Sequence, residues 1–178
     1  INEIKIIRNY GKDEYGRHII NGFNYKFSEF NAAVALWSSL NASRIIKERR
    51  ALASMYNYLL RNIKGISVFN VAECQSGYYK YIVTFEYRIN RDDFRNTLLR
   101  KYCIELSGGV YDVPCHHEPY FKSIPEKVLN IKERFHFAEA FSRKQICLPL
   151  YLGLKERWQR YIVKSVHELL KRLWKARG

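Results

Sequence analysis

A chain of 178 residues, 47% of them hydrophobic and with 14 tyrosines and 10 phenylalanines, has the material for a real core, which excludes global disorder and fits one compact domain. No apolar run approaches the length of a bilayer crossing, so an integral membrane protein is excluded as well. The net charge of +14 attracts polyanions whatever the fold, but the basic residues form only short clusters, such as Lys47 to Arg50 and Lys171 to Arg177, without zinc-finger spacing, a basic-leucine array or an RNP-like strand; an acidic domain or anionic substrate therefore ranks well above nucleic acid as partner.

In chain order, Ile4, Ile6 and Ile7 predict a short extended stretch, and Asn9 to Arg17 a turn-rich loop near an isolated histidine, His18. Phe30, Ala33, Val34, Trp37 and Leu40 recur at three- and four-residue steps and share one helix face, with Ser28 as its N-cap. Asn41 and Ser43 interrupt the stripe before Ile45, Ile46, Leu52, Met55, Tyr56 and Leu59 resume it, which predicts one long bent helix or two in series. Asn62 and Gly65 supply the stop. Ile66 to Val71 reads as a strand, and Tyr79 to Tyr87 as another with a two-residue period; the polar turn Glu73 to Gly77 makes the pair antiparallel. Asn90 caps a helix whose apolar edge is Phe94, Leu98 and Tyr102.

Residues Ser107 to Asn130 carry glycines and prolines without sustained period, a length typical of binding loops or disorder. Phe135, Ala138 and Phe141 mark a further helix, and Ile146 to Leu148 a strand ended by Pro149. Trp158, Ile162, Val166, Leu169 and Leu173 line one side of a terminal helix that reads either as lying on a membrane surface or as docked on the sheet; docking is favoured because the sheet otherwise has a bare face. Cys74, Cys103, Cys115 and Cys147 form no CxxC pair and read as separate reduced thiols of a cytoplasmic protein.

Gly22 to Ala33, GFNYKFSEFNAA, resembles the G-Y-N-Y-R-M-S-D-L-Q-A-A segment of the DegT/DnrJ/EryC1/StrS family. Ile45 to Tyr56 is similar to that family's E-x-x-x-R-R-x-x-A-x-x-Y helix, Val110 to Tyr120 to its P-x-H-x-Q-P loop, and Leu148 to Leu154 to its L-P-L-Y-x-G-L turn, all in the family's order. The resemblance implies an α+β fold, the small C-terminal domain of a fold-type I aminotransferase dependent on pyridoxal 5'-phosphate, with a short antiparallel sheet packed with helices and a long linking helix. Residues 1–27 are then the link from a missing large domain, 28–64 the interdomain helix region and 65–178 the small domain. The sheet is expected to have three or four strands, with segments near Cys103 and Ile146 completing it.

The family's Schiff-base lysine belongs to the large domain, and none of the lysines here matches it, so the chain alone is expected to bind no cofactor and to be inactive. By resemblance, Asn24 contacts the phosphate of the dimer partner's cofactor, ahead of a plain role in a turn. Lys26 stands where arginine is common, a point charge in place of a planar fork. His116 matches the loop histidine of the nucleotide-sugar pocket; substrate contact and structural hydrogen bonding stand level for it, with metal ligation behind both, and no metal site is expected. Tyr111 takes a place where many relatives have histidine, and is grouped with His116 on the substrate side. The implied partners are a second copy or the missing large domain, a nucleotide-sugar and an amino donor. The competing reading is a non-catalytic structural or interaction module derived from the same family.

Overall fold

The structure, a computed structural model, describes residues 1–69, 74–86, 89–124 and 135–175. The chain forms two compact units, Ile1–Arg44 and Ile45–Gly178.

In the first unit, Asn2–Ile7 is a short helix, α1, and not the extended stretch that its isoleucines suggest. The backbone closes on itself, Lys5 N on the Ile1 carbonyl at 3.2 Å and Arg8 N on the Ile4 carbonyl at 3.0 Å, so β-branching is overridden by local hydrogen bonding. The chain then folds back: Phe23 N meets the Ile7 carbonyl at 2.7 Å and Tyr25 N the Arg8 carbonyl at 3.0 Å. Gly11, at φ +72°, and Gly22 are pressed together at this crossing; a Cβ on Gly22 would strike the Gly11 backbone, which is why the segment starts with glycine.

Helix α2, Glu29–Leu40, is capped as expected by Ser28, whose Oγ accepts from Asn31 N at 3.2 Å. Asn41 ends it, its side chain donating to the Trp37 carbonyl at 2.9 Å, and α3 resumes at Ala42 and runs to Leu60. The long element is thus two helices in series separated by one residue.

The second unit is built on a three-stranded antiparallel sheet in the order β1 (Ile66–Val68), β2 (Tyr81–Phe85), β3 (Gln145–Leu148). The expected period is realised in β2, where Tyr81, Val83 and Phe85 are buried and Ile82 and Thr84 only partly so; the strand is shorter than expected at its start, since Tyr79 precedes it and is 80% exposed. Residues 70–73, including part of the expected turn and of the first strand, lie outside the described residues, as does Tyr87. The expected strand near Cys103 does not form. Cys103 is left-handed at φ 54°, and the backbone N–H groups of Cys103 and Ile104 are spent on the carbonyls of Leu99 and Leu98, terminating helix α4, Arg91–Tyr102. Ile104 and Leu106 nevertheless enter the core.

After α4 come a 3-10 turn at Cys115–His117, a single helical turn α5 at Pro119–Ser123, helix α6 at His136–Lys144 and, after β3, helix α7 at Glu156–Lys175. One hydrophobic core joins Tyr56 and Leu60 of α3, the three strands, Phe94 and Leu98 of α4, and Ile162, Val166 and Leu170 of α7. The terminal helix is docked. This is the α+β architecture expected, a short antiparallel sheet packed against helices.

Candidate functional site

The loop following α4 is held against the sheet by polar contacts, among which Gln145 is the buried one. Gln145, fully buried at the start of β3, accepts from Val110 N at 3.1 Å through Oε1 and donates to the Tyr111 carbonyl at 3.2 Å through Nε2. Lys80 Nζ donates to the Gly109 carbonyl at 2.6 Å. Asp112 pairs with Arg91 at 2.9 Å and more loosely with Arg95 at 3.8 Å, while Arg91 also donates to the Ser142 carbonyl at 2.7 Å. A side chain at Gly109 would collide with both the Asp112 carboxylate and the Gln145 amide, so the loop packs this closely only with glycine there.

Beside this anchored loop lies a cavity of about 470 Å³, within the size range of small-molecule sites. Phe121, Phe135 and Phe141 make it mostly apolar, and Tyr111 and His116 add polar groups to its wall. The structure therefore brings two of the sequence-predicted residues to one cavity.

His116 and His117 both turn toward α6. Their Nε2 atoms lie 3.1 Å and 3.3 Å from the same oxygen, Glu139 Oε1, and Arg143 stands 3.5 Å from the other oxygen. The hydrogen bond from His116, with the charges of His117, His116 and Arg143, holds the Glu139 carboxyl below the usual carboxylate range against a smaller opposing effect of burial.

Asn24 and Lys26 belong to the first unit. Asn24 is exposed and forms an isolated antiparallel bridge with Asn9 through its backbone; its side-chain amide has no partner among the described residues. Lys26 Nζ lies 4.9 Å from the centre of the Tyr10 ring, a cation–π contact that leaves its charge at the surface. An amide N–H2 and an ammonium are both donors suited to a phosphate, so this pair fits the anionic end of pyridoxal phosphate.

Gln145 and Glu139 escaped the sequence reading, and Gly109 entered it only as one of the glycines of the 107–130 loop. Gln145 carried a faint signal, a polar residue abutting an apolar strand; Glu139 carried none, because its partners lie 23 and 22 residues away (139 − 116 and 139 − 117).

The fold is similar to that of solved structures that include aminotransferases. S. venezuelae DesV, solved in complex with a ketimine intermediate, superposes with a TM-score of 0.79 at 24% identity, over 94% of this chain and 43% of that one. A DegT DnrJ EryC1 StrS aminotransferase from Brucella abortus gives 0.76 at 21% identity, over 93% and 42%. In sequence, the chain is 28% identical over 165 residues to a pleiotropic regulatory protein of Geobacillus stearothermophilus, covering 92% of this chain and 42% of that protein. It is 28% identical over 152 residues to the dTDP-4-amino-4,6-dideoxy-D-glucose transaminase of Escherichia coli, covering 84% and 38%. The model of the DegT/DnrJ/EryC1/StrS aminotransferase family matches residues 1–167, and the chain belongs to that family. It spans less than half the length of these relatives.

Proposed function

We propose that this chain is the C-terminal part of a nucleotide-sugar aminotransferase, with 1–27 the link from the large domain, 28–64 the interdomain helix region and 65–178 the small domain. Pyridoxal phosphate, when bound, supplies the electron sink for amino transfer. In this reading the lysine that anchors it comes from the large domain, and the chain's own residues bind and orient. Asn24 donates its amide to the phosphate of the dimer partner's cofactor, Lys26 adds positive charge, and Tyr111 and His116 form part of the substrate wall around the 470 Å³ cavity.

The observation that carries this reading is the free amide of Asn24 in a chain whose residues 1–167 match the family's model. Association with a second copy or a large domain is supported by α2, whose Phe30, Trp37 and Leu40 are 78%, 55% and 77% exposed, an apolar stripe of the kind that marks an interface.

The test is complementation with a lysine-bearing large domain of the family. The reconstituted complex should retain cofactor and turn over. Asn24→Ala should weaken retention by ~1.5–3 kcal/mol, the worth of one charged hydrogen bond, with the fold intact. Lys26→Ala should act in the same direction and less. Unchanged cofactor affinity for Asn24→Ala in an active complex would sink the phosphate role. A second reading, a non-catalytic interaction module, draws support from the regulatory name of the Geobacillus relative; a complex that assembles without turning over would favour it.

A further inference from the structure

The substrate-wall reading uses His116 and leaves His117 and Glu139 without a task. Two imidazole nitrogens and a carboxylate oxygen are a donor set that zinc takes in sites that keep a fourth position open. The three ligand atoms lie within 4.8 Å of one another.

The spacing is informative. Tetrahedral zinc with bonds of about 2.0–2.1 Å sets its ligand atoms about 3.3 Å apart. The two nitrogen-to-oxygen separations are 3.1 Å and 3.3 Å, so two of the three edges already have that length. The third edge joins the two rings, each of which offers a nitrogen within 4.8 Å of the other two donors, so a swing of one ring brings the set toward tetrahedral spacing.

The backbone explains why the donors converge. Pro114 precedes the 3-10 turn, and its carbonyl accepts from His117 N at 2.8 Å, which fixes the adjacent histidines. Glu139 lies in the first turn of α6, and Arg143 on its far oxygen leaves Oε1 for the histidines, the kind of outer contact that orients a ligating carboxylate. The side chains of His116 and Glu139 are 19% and 22% exposed and that of His117 is 45% exposed, so an ion has a way in.

The geometry points to a binding site for one divalent first-row transition ion, zinc foremost, held by His116 Nε2, His117 Nε2 and Glu139 Oε1. Both imidazoles bind as neutral rings through the Nε2 lone pair, their proton on Nδ1; the ion replaces the two N–H contacts to Glu139. Because His116 also lines the cavity, the ion sits at its edge and its open position takes water or an oxygen ligand. It clamps the 3-10 turn to α6. The site is independent of the aminotransferase reading, since it needs neither cofactor nor large domain.

The test uses the purified 178-residue chain stripped of metal with a chelator. Calorimetric titration with Zn²⁺ should give one ion per chain. His117→Ala and Glu139→Gln should each lower affinity at least tenfold, as loss of a ligand does, while His18→Ala leaves it unchanged. Circular dichroism establishes that each variant is folded. X-ray absorption of the zinc-loaded wild type gives a second reading that needs no variant: two imidazoles with only oxygen otherwise support the site, whereas a sulfur ligand or fewer than two imidazoles overturns it. Absence of stoichiometric binding, or affinity indifferent to both substitutions, overturns it equally.

Discussion

Gln145 Nε2 and the carbonyl oxygen of Tyr111 are 3.2 Å apart, and this contact fixes a cavity-wall residue to the first position of a buried strand. The same amide satisfies Val110 N, so Gln145→Leu deprives two backbone groups at once. Each buried polar group left unpaired costs ~1–3 kcal/mol. Both contacts are part-buried and Tyr111 is 70% exposed, so urea unfolding should show a loss toward the low end of that range, and limited proteolysis should cut faster between Gly108 and Val113. A change below ~0.5 kcal/mol would mean that water replaces the amide freely.

Asn90 caps α4 by accepting from Asp92 N at 3.0 Å and Asp93 N at 3.2 Å. Asn90→Ala should cost ~1 kcal/mol and Asn90→Asp almost nothing, both read from denaturation midpoints. Equal losses would show that the amide itself, and not its oxygen, matters.

Tyr56 has no exposed surface, and its hydroxyl donates to the Pro149 carbonyl at 2.8 Å, joining α3 to the turn after β3. Burial, with the neighbouring phenols of Tyr81 and Tyr151 adding, pushes its ionisation well above the ordinary tyrosine range. Tyr56→Phe keeps the packing and removes the bond, so a loss of ~0.5–1.5 kcal/mol is expected. Absorbance titration should lose one late-ionising phenol in the same variant.

Burial, then the charge of Lys171, pushes the His167 imidazole below its usual 6.5, with Glu168 opposing. The folded chain therefore holds the neutral ring where the unfolded chain has already bound a proton. Stability is complete above the usual value and falls as pH drops through 6.5 toward the lowered one. Denaturation midpoints at about pH 7.5 and about pH 5.5 should differ less in His167→Gln than in the parent. An identical difference would remove His167 from the account.

Local signals were legible in the sequence. The caps Ser28 and Asn90, the alternation in β2 and most of the stripe of α7 each involve residues within a few positions of one another and are found where the pattern puts them; Trp158, expected on the α7 stripe, is 48% exposed, and Gln159 and Val163 lie on the buried face instead. Errors arose where an apolar pattern suited two backbones. Ile4, Ile6 and Ile7 had the β-branching of a strand, but a strand needs a distant partner and a helical turn does not. A strand was expected near Cys103, yet the backbone N–H groups of Cys103 and Ile104 are committed to closing α4. His116, matched to the family's loop, and Tyr111, a departure from it, were singled out by that comparison and both line the cavity. Glu139 and Gln145 were not, since their contacts span 23 and 34 residues and only the fold brings them together.

Helix α6 ends at Lys144 and β3 starts at Gln145, with no residue between them. The carboxylate that gathers two histidines and the amide that holds the Tyr111 loop are thus set in phase by an uninterrupted backbone. One residue inserted between Glu139 and Gln145 would turn the helix by about 100° relative to the strand and carry one of them off its partners. This junction acts as a spacer whose residue count matters more than its composition. The exposed Lys144 should accept substitution, while a single insertion or deletion there should uncouple the two sides of the cavity.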